Sequence, residues 1–115
     1  MSNAHEPSDY GAVFHILGAP AVRARVAQYI TGGEIDWRGL LGESRRMSGG
    51  EALLVRIAHD LWQGGNSVAV WELPRRLDAS SFERVVEALT VARTGSLPPR
   101  PAGIGRAPVR LMRVA

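Results

Sequence analysis

RRMSGGEALLVRIAHDLWQGG, residues 45–65, reads as one helix with both of its ends marked. Ser48 followed by Glu51 is the reciprocal capping pattern: the Ser oxygen takes a free amide of the first turn, and the Glu carboxylate returns to the Ser amide. Behind it Leu54, Ile57, Ala58, Leu61 and Trp62 recur at helical spacing and make an apolar stripe wide enough for the centre of a core. Arg56 and Asp60 lie one turn apart on the other side, an expected ion pair. Gly64, Gly65 and Asn66 end the helix. Gly49 and Gly50 allow a sharp entry or a close approach by another segment.

The flanking sequence must cover that stripe, and much of it is helical in pattern. Upstream, YGAVFHILG at 10–18 is apolar but too short for periodicity to choose between a strand and a helix. From Pro20, the spacing of Val22, Val26, Tyr29 and Ile30 predicts a helix that Gly32-Gly33 stops. Asp36 is placed to cap a short helix carrying Trp37, Leu40 and Leu41. Downstream, SVAVW at 67–71 is either a strand or the lead into a short helix ending at Leu77, with Pro74 in its early turns. Ser80 and Glu83 repeat the capping pattern ahead of a second amphipathic helix bearing Phe82, Val85, Val86, Leu89 and Ala92. Gly95 closes that helix, with Leu97 expected to fold back.

These elements predict a mainly α fold: a small orthogonal bundle of four to five helices, with room for one short hairpin or edge strand. The 115 residues suit one domain over 9–95, after a flexible start at 1–8 and before an extended Arg/Pro/Gly-rich tail at 96–115. The chain is 45% apolar and 22% charged, the balance of a soluble globule. It has no Cys, no secretory pattern at its start and no apolar run of about eighteen residues, so a cytoplasmic protein without a membrane span is expected. The net charge of +3 is unevenly distributed. Residues 1–95 hold ten Arg against eleven Asp plus Glu, whereas the tail holds Arg100, Arg106, Arg110 and Arg113 and no acid.

Met47-Ser48-Gly49-Gly50-Glu51 resembles the signature loop of ATP-binding cassette ATPases, and VAVWELPRRLD at 68–78 is similar in rhythm to that family's strand and acidic turn. The resemblance implies a phosphate at the helix start and puts Glu72 on the family's catalytic Glu. Trp71, however, stands where a magnesium-bearing Asp belongs, and the chain has neither a Lys nor the Gly-Lys-Ser/Thr loop that grips the phosphates. What survives is a candidate anion site at Ser48, Gly49 and Gly50, where free amides and the helix dipole favour negative charge and Glu51 opposes it.

Residues 67–89 resemble, in spacing, the helix-turn-helix units of bacterial regulators. A short helix around 71–77 would lead through Asp78-Ala79-Ser80 to a second helix from Ser81. That resemblance implies DNA binding through residues 71–89 and the basic tail, with Arg75, Arg76 and Arg84 on phosphates or base edges and the tail arginines, Arg100 and Arg106 among them, along the backbone or minor groove. Pro74, the Glu83 and Glu87 carboxylates, and the negative balance of residues 1–95 oppose it.

No catalytic residue, metal site or cofactor is expected. His5, His15 and His59 stand apart, with no metal-ligand spacing between them. Glu34 and Asp36 are simpler as loop and capping groups than as an acid-base pair, and no Ser lies in a Gly-x-Ser-x-Gly turn. The favoured expectation is a non-catalytic protein that binds a protein partner, or a second copy of itself, through an aromatic and aliphatic patch. Its candidate contacts are Trp37, Trp71 and Leu73, joined by Val109, Leu111 and Arg113 of the tail.

Overall fold

The computed structural model describes residues 7–97, with side chains from Tyr10 onward. Arg100, Arg106, Val109, Leu111 and Arg113 lie outside the described residues, as does His5. The undecided stretch at 10–18 lies in a helix, α1 (Pro7–Leu17), whose positions 12, 13, 16 and 17 share one face. Ala12, Val13, Ile16 and Leu17 are buried, and α1 packs mainly on the two long helices of the chain, α4 (Gly49–Gln63) and α6 (Ala79–Thr94).

The single helix expected from Pro20 to Gly32 is replaced by three shorter pieces. Helix α2 (Arg23–Val26) runs into a 3-10 turn over Ala27–Tyr29, and the chain then enters a hairpin of β1 (Ile30–Thr31) and β2 (Glu34–Ile35). Ile30 pairs with Ile35 and Thr31 with Glu34, antiparallel. Gly32 and Gly33 take φ of 58° and 84°, the successive positive values that a tight hairpin turn demands and that side-chain-bearing residues resist. The glycines read as a helix stop are therefore a hairpin turn, and the β-branched Ile30 and Thr31 before them suit a strand better than a final helical turn. With 10–18 helical and 67–71 leading into a short helix, the described residues hold six α-helices, above the four to five expected.

Asp36 caps α3 (Trp37–Ser44) by accepting from the Gly39 amide at 3.0 Å. Helix α4 has the expected reciprocal cap: Glu51 N donates to Ser48 Oγ at 3.2 Å, and Ser48 N donates to Glu51 Oε1 at 3.1 Å. Leu53, Leu54, Val55, Ile57 and Ala58 are buried, more of the circumference than one stripe requires, because α1 and α3 both pack on α4. Trp62, expected in the core, is half-buried at its edge. The 67–71 stretch is not a strand. It is a loop that leads into α5 (Glu72–Arg76), and Pro74 falls in the first turn of that helix, where its missing amide has no intrahelical acceptor to lose.

The cap of α6 differs from the expected one. Asp78, not Ser80, accepts from the Ser81 amide at 2.8 Å, and the helix starts at Ala79, which leaves Ser80 inside its first turn. Asp78→Ala should cost about 1 kcal/mol, whereas Ser80→Ala should change stability by less than about 0.5 kcal/mol. Parallel urea titrations measure the difference, and equal losses would return the cap to Ser80. At the other end Gly95 closes α6 at a φ of 88°, but Leu97 does not fold back and is 51% exposed. No helix of the described residues is long and apolar enough to cross a membrane.

Candidate interaction surface

Arg56 and Asp60, expected to pair along α4, both turn to the 65–72 segment instead. Arg56 forms an ion pair with Glu72 at 3.2 Å and donates to the Ser67 carbonyl at 2.8 Å. Asp60 accepts from the Val68 amide and the Ser67 hydroxyl, each at 3.0 Å. Glu72 is buried at the start of α5 and also accepts from the Ala69 amide at 3.0 Å. Three consecutive loop residues, 67–69, are thus tied down on a frame of two carboxylates and a guanidinium. The frame leaves Val70 82% exposed and Trp71 60% exposed, with the Arg76 guanidinium 6.0 Å from the Trp71 ring centroid.

Beside that loop is an apolar groove of about 250 Å³. Ile57 and Leu61 of α4 form its floor, Val68, Val70 and Leu73 one wall, and Val85 and Leu89 of α6 the other. The carboxylate-bearing Asp60 is the single charged residue of this lining. Helix α6 extends the surface. Val85, Ala88 and Val91 are buried, but Phe82, Val86 and Leu89 are 38%, 46% and 45% exposed. Their spacing of four and then three residues puts them on one face. The apolar positions expected on this helix thus divide: Val85 is buried and Ala92 half-buried, Phe82, Val86 and Leu89 are exposed, and the buried Ala88 and Val91 are not among those expected. The available signal was that α6 has more apolar positions than one stripe can hold.

The other expected contacts are scattered. Leu73 is half-buried as groove wall, and the exposed Trp71 follows the lining residue Val70 in the chain without lining the groove itself. Trp37 is elsewhere, half-buried in an aromatic cluster with His59 at 4.8 Å and Trp62 at 5.8 Å between ring centroids, its indole Nε1 without a partner among the described residues. Arg75 and Arg76 are exposed, and Arg76 also pairs with Glu72 at 3.3 Å. Arg84 turns inward, donating from Nε to the His15 carbonyl at 2.7 Å, and the neighbouring Glu87 lies 2.7 Å from His15 Nε2. That side of α6 is thus occupied by α1.

At the start of α4 the Ser48 and Glu51 groups serve each other, and Glu51 also meets Arg25 at 3.4 Å. Arg25 continues to Glu43 at 3.1 Å, where Arg46 and the Tyr29 hydroxyl converge on the same carboxylate. No group of three or more His, Asp or Glu that could hold a metal exists among the described residues.

These carboxylates make the fold acid-sensitive. The Ala69 amide, then the Arg56 guanidinium, hold Glu72 below its ordinary 4.5, and hydrogen bonds from Arg46 and Tyr29 do the same for Glu43. Burial, and then the bond to Glu43, raise the Tyr29 phenol above its ordinary 10.0. A lowered carboxyl pKa stabilises the fold fully above the unfolded value and is lost as pH falls through the folded one. Glu72→Gln should therefore be less stable than wild type at about pH 7, and the gap should close as acid protonates Glu72 in the wild type. Urea midpoints across the acid range test this, and a gap that is constant with pH would refute it.

No protein-family model matches the chain, and comparison with curated proteins and with solved structures finds no match. The likeness of residues 47–51 and 68–78 to an ATPase therefore remains one of short motifs.

Proposed function

We propose that this chain is a non-catalytic docking module that takes an apolar segment of a protein on the surface formed by Val70, Trp71, Leu73, Val86 and Leu89. The observation that carries this reading is the combination of a tied-down loop with Val70 and Trp71 held outward. An apolar residue left in water by a slack loop can turn inward, whereas here the Val68 and Ala69 amides are bonded to Asp60 and Glu72 and the Val70 carbonyl accepts from the Leu73 amide, which fixes the backbone on both sides of these two exposed residues. Anchors fixed before binding lose little conformational entropy on contact, and an exposed Trp next in the chain to an aliphatic groove is the residue type on which interface energy concentrates.

Selection of random peptides displayed on phage against the full chain tests the reading. Peptides with clustered aliphatic or aromatic residues should be enriched, and Trp71→Ser or Leu89→Glu should abolish their binding without altering the helical spectrum. No enrichment, or enrichment that both variants retain, would defeat it. For DNA as the alternative occupant, Arg75 and Arg76 are the exposed candidates among the described residues, Arg76 being shared with Glu72; retention on duplex DNA at low salt that Arg75→Ala and Arg76→Ala remove would favour it instead.

A further inference from the structure

The geometry points to an occupant of the groove within the chain itself: residues 109–114, Val-Arg-Leu-Met-Arg-Val, dock there in cis and compete with any outside partner. The inference rests on the docking reading above and adds its regulation. Three observations support it. The first is position. Leu89, a groove wall, precedes Gly95 at the end of α6 by six residues, about 9 Å along the helix. From Leu97 the eleven residues 98–108 separate the described chain from Val109. Fully extended they reach about 36 Å, several times the return distance, and their four Pro and two Gly favour a change of direction over a helix that would carry the segment away.

The second observation is chemical match. The groove is walled by aliphatic side chains and has room for only a few more, so a folded domain does not fit and a polar peptide gains nothing from entering. Val109, Leu111, Met112 and Val114 are four apolar residues in six, the densest such run after α6. The third is charge. Asp60 is the charged residue of the lining, and the segment offers Arg110 and Arg113 with no acid anywhere from 88 to 115. Tethering then favours this segment over a second copy. A short linker gives an effective concentration in the millimolar range, so a contact too weak to form between separate molecules is populated within one.

The chain has no Cys, so a nitroxide attached to Ala115→Cys reports from one place. In the full chain it should broaden the amide resonances of Val70, Leu73 and Leu89 selectively over those of the hairpin residues Thr31 and Glu34. The broadening should be unchanged on tenfold dilution and lost when Leu111 and Met112 are both changed to Asp. The same double change should tighten a phage-selected peptide about tenfold if the tail fills the groove nine-tenths of the time. Absence of selective broadening overturns the proposal. So does broadening that appears only when spin-labelled chains are mixed with isotope-labelled ones, since the occupant is then a second copy. Either result leaves the docking function standing if selected peptides still bind through Trp71 and Leu89. Failure of the peptide selection with broadening intact would separate the two ideas in the opposite sense.

Discussion

Leu54→Ala should lower the unfolding free energy by about 2–5 kcal/mol. Leu54 is 0% exposed in the helix against which α1 and α3 both pack. Its buried cluster includes Val13 and Ile16 of α1, Leu40 of α3 and Val85 of α6, so the hole left by three missing heavy atoms would be walled by several elements at once. One side chain can relax into a vacancy, but four elements braced on one another cannot all do so. A domain of this size is stable by about 5–15 kcal/mol, and the loss is a large share of that. In urea the midpoint should fall with an unchanged slope, since the surface exposed on unfolding hardly alters.

Val86→Ala is the control. The same kind of truncation on the exposed face of α6 should stay within about 0.5 kcal/mol. If Leu54→Ala cost as little as that, α4 would not be the centre of the body and the description of the groove built on it would fall. If Val86→Ala cost as much as Leu54→Ala, the face assigned to docking would be core.

The pair also marks what the sequence could reveal. Helix α4 was legible with its stripe and both ends, because a capping box, a 3.6-residue period and a terminal Gly are local signals that agree with one another. The Asp36 and Gly95 caps were legible for the same reason. The hairpin was not, since strands of two residues are too short to alternate and Gly-Gly marks a helix stop and a hairpin turn alike. At the start of α6, Ser80 and Glu83 imitate a cap that Asp78 in fact supplies. Two oxygen-bearing residues compete there, and the backbone entry angle after buried Leu77 decides between them.

The docking surface was legible only at Trp71 and Leu73. Its shape depends on where the 65–72 segment lies, and that is set by partners eight and sixteen residues apart: Asp60 with Val68, Arg56 with Glu72. The rule that pairs Arg56 with Asp60 one turn along a helix counts only local neighbours. In the folded chain each gains a backbone or buried charged partner that an exposed helical pair does not match, so the tertiary bonds prevail.

The second large effect is expected at Gly50, and it gives the Ser-Gly-Gly turn its structural meaning. A Cβ built on Gly50 lies 2.8 Å from the backbone carbonyl oxygen of Arg76, at the end of α5. A carbonyl cannot rotate out of the way as a side chain does, so Gly50→Ala must push α4 and α5 apart, at a cost of about 1–3 kcal/mol. Its neighbour separates the steric cause from the chemistry of the substitution. At Gly49 the nearest atom is the Arg76 guanidinium at 3.5 Å, an ordinary contact with the end of a long side chain, and Gly49→Ala should be nearly neutral. At Gly42, inside α3, a Cβ meets nothing within 4 Å, so Gly42→Ala should stabilise by about 0.5–1 kcal/mol through the lower entropy of the unfolded chain. One chemical change thus has three expected outcomes, ordered by the space at each position, and urea midpoints read all three. Displacing α5 also moves Leu73, the groove wall, and strains the Glu72 bonds that hold Val70 and Trp71 outward. Gly50→Ala should accordingly weaken a selected peptide under conditions where the variant is still fully folded, while Gly49→Ala leaves that affinity unchanged. Equal affinity in both would mean that the close approach of α4 and α5 serves stability alone and that the groove does not depend on it.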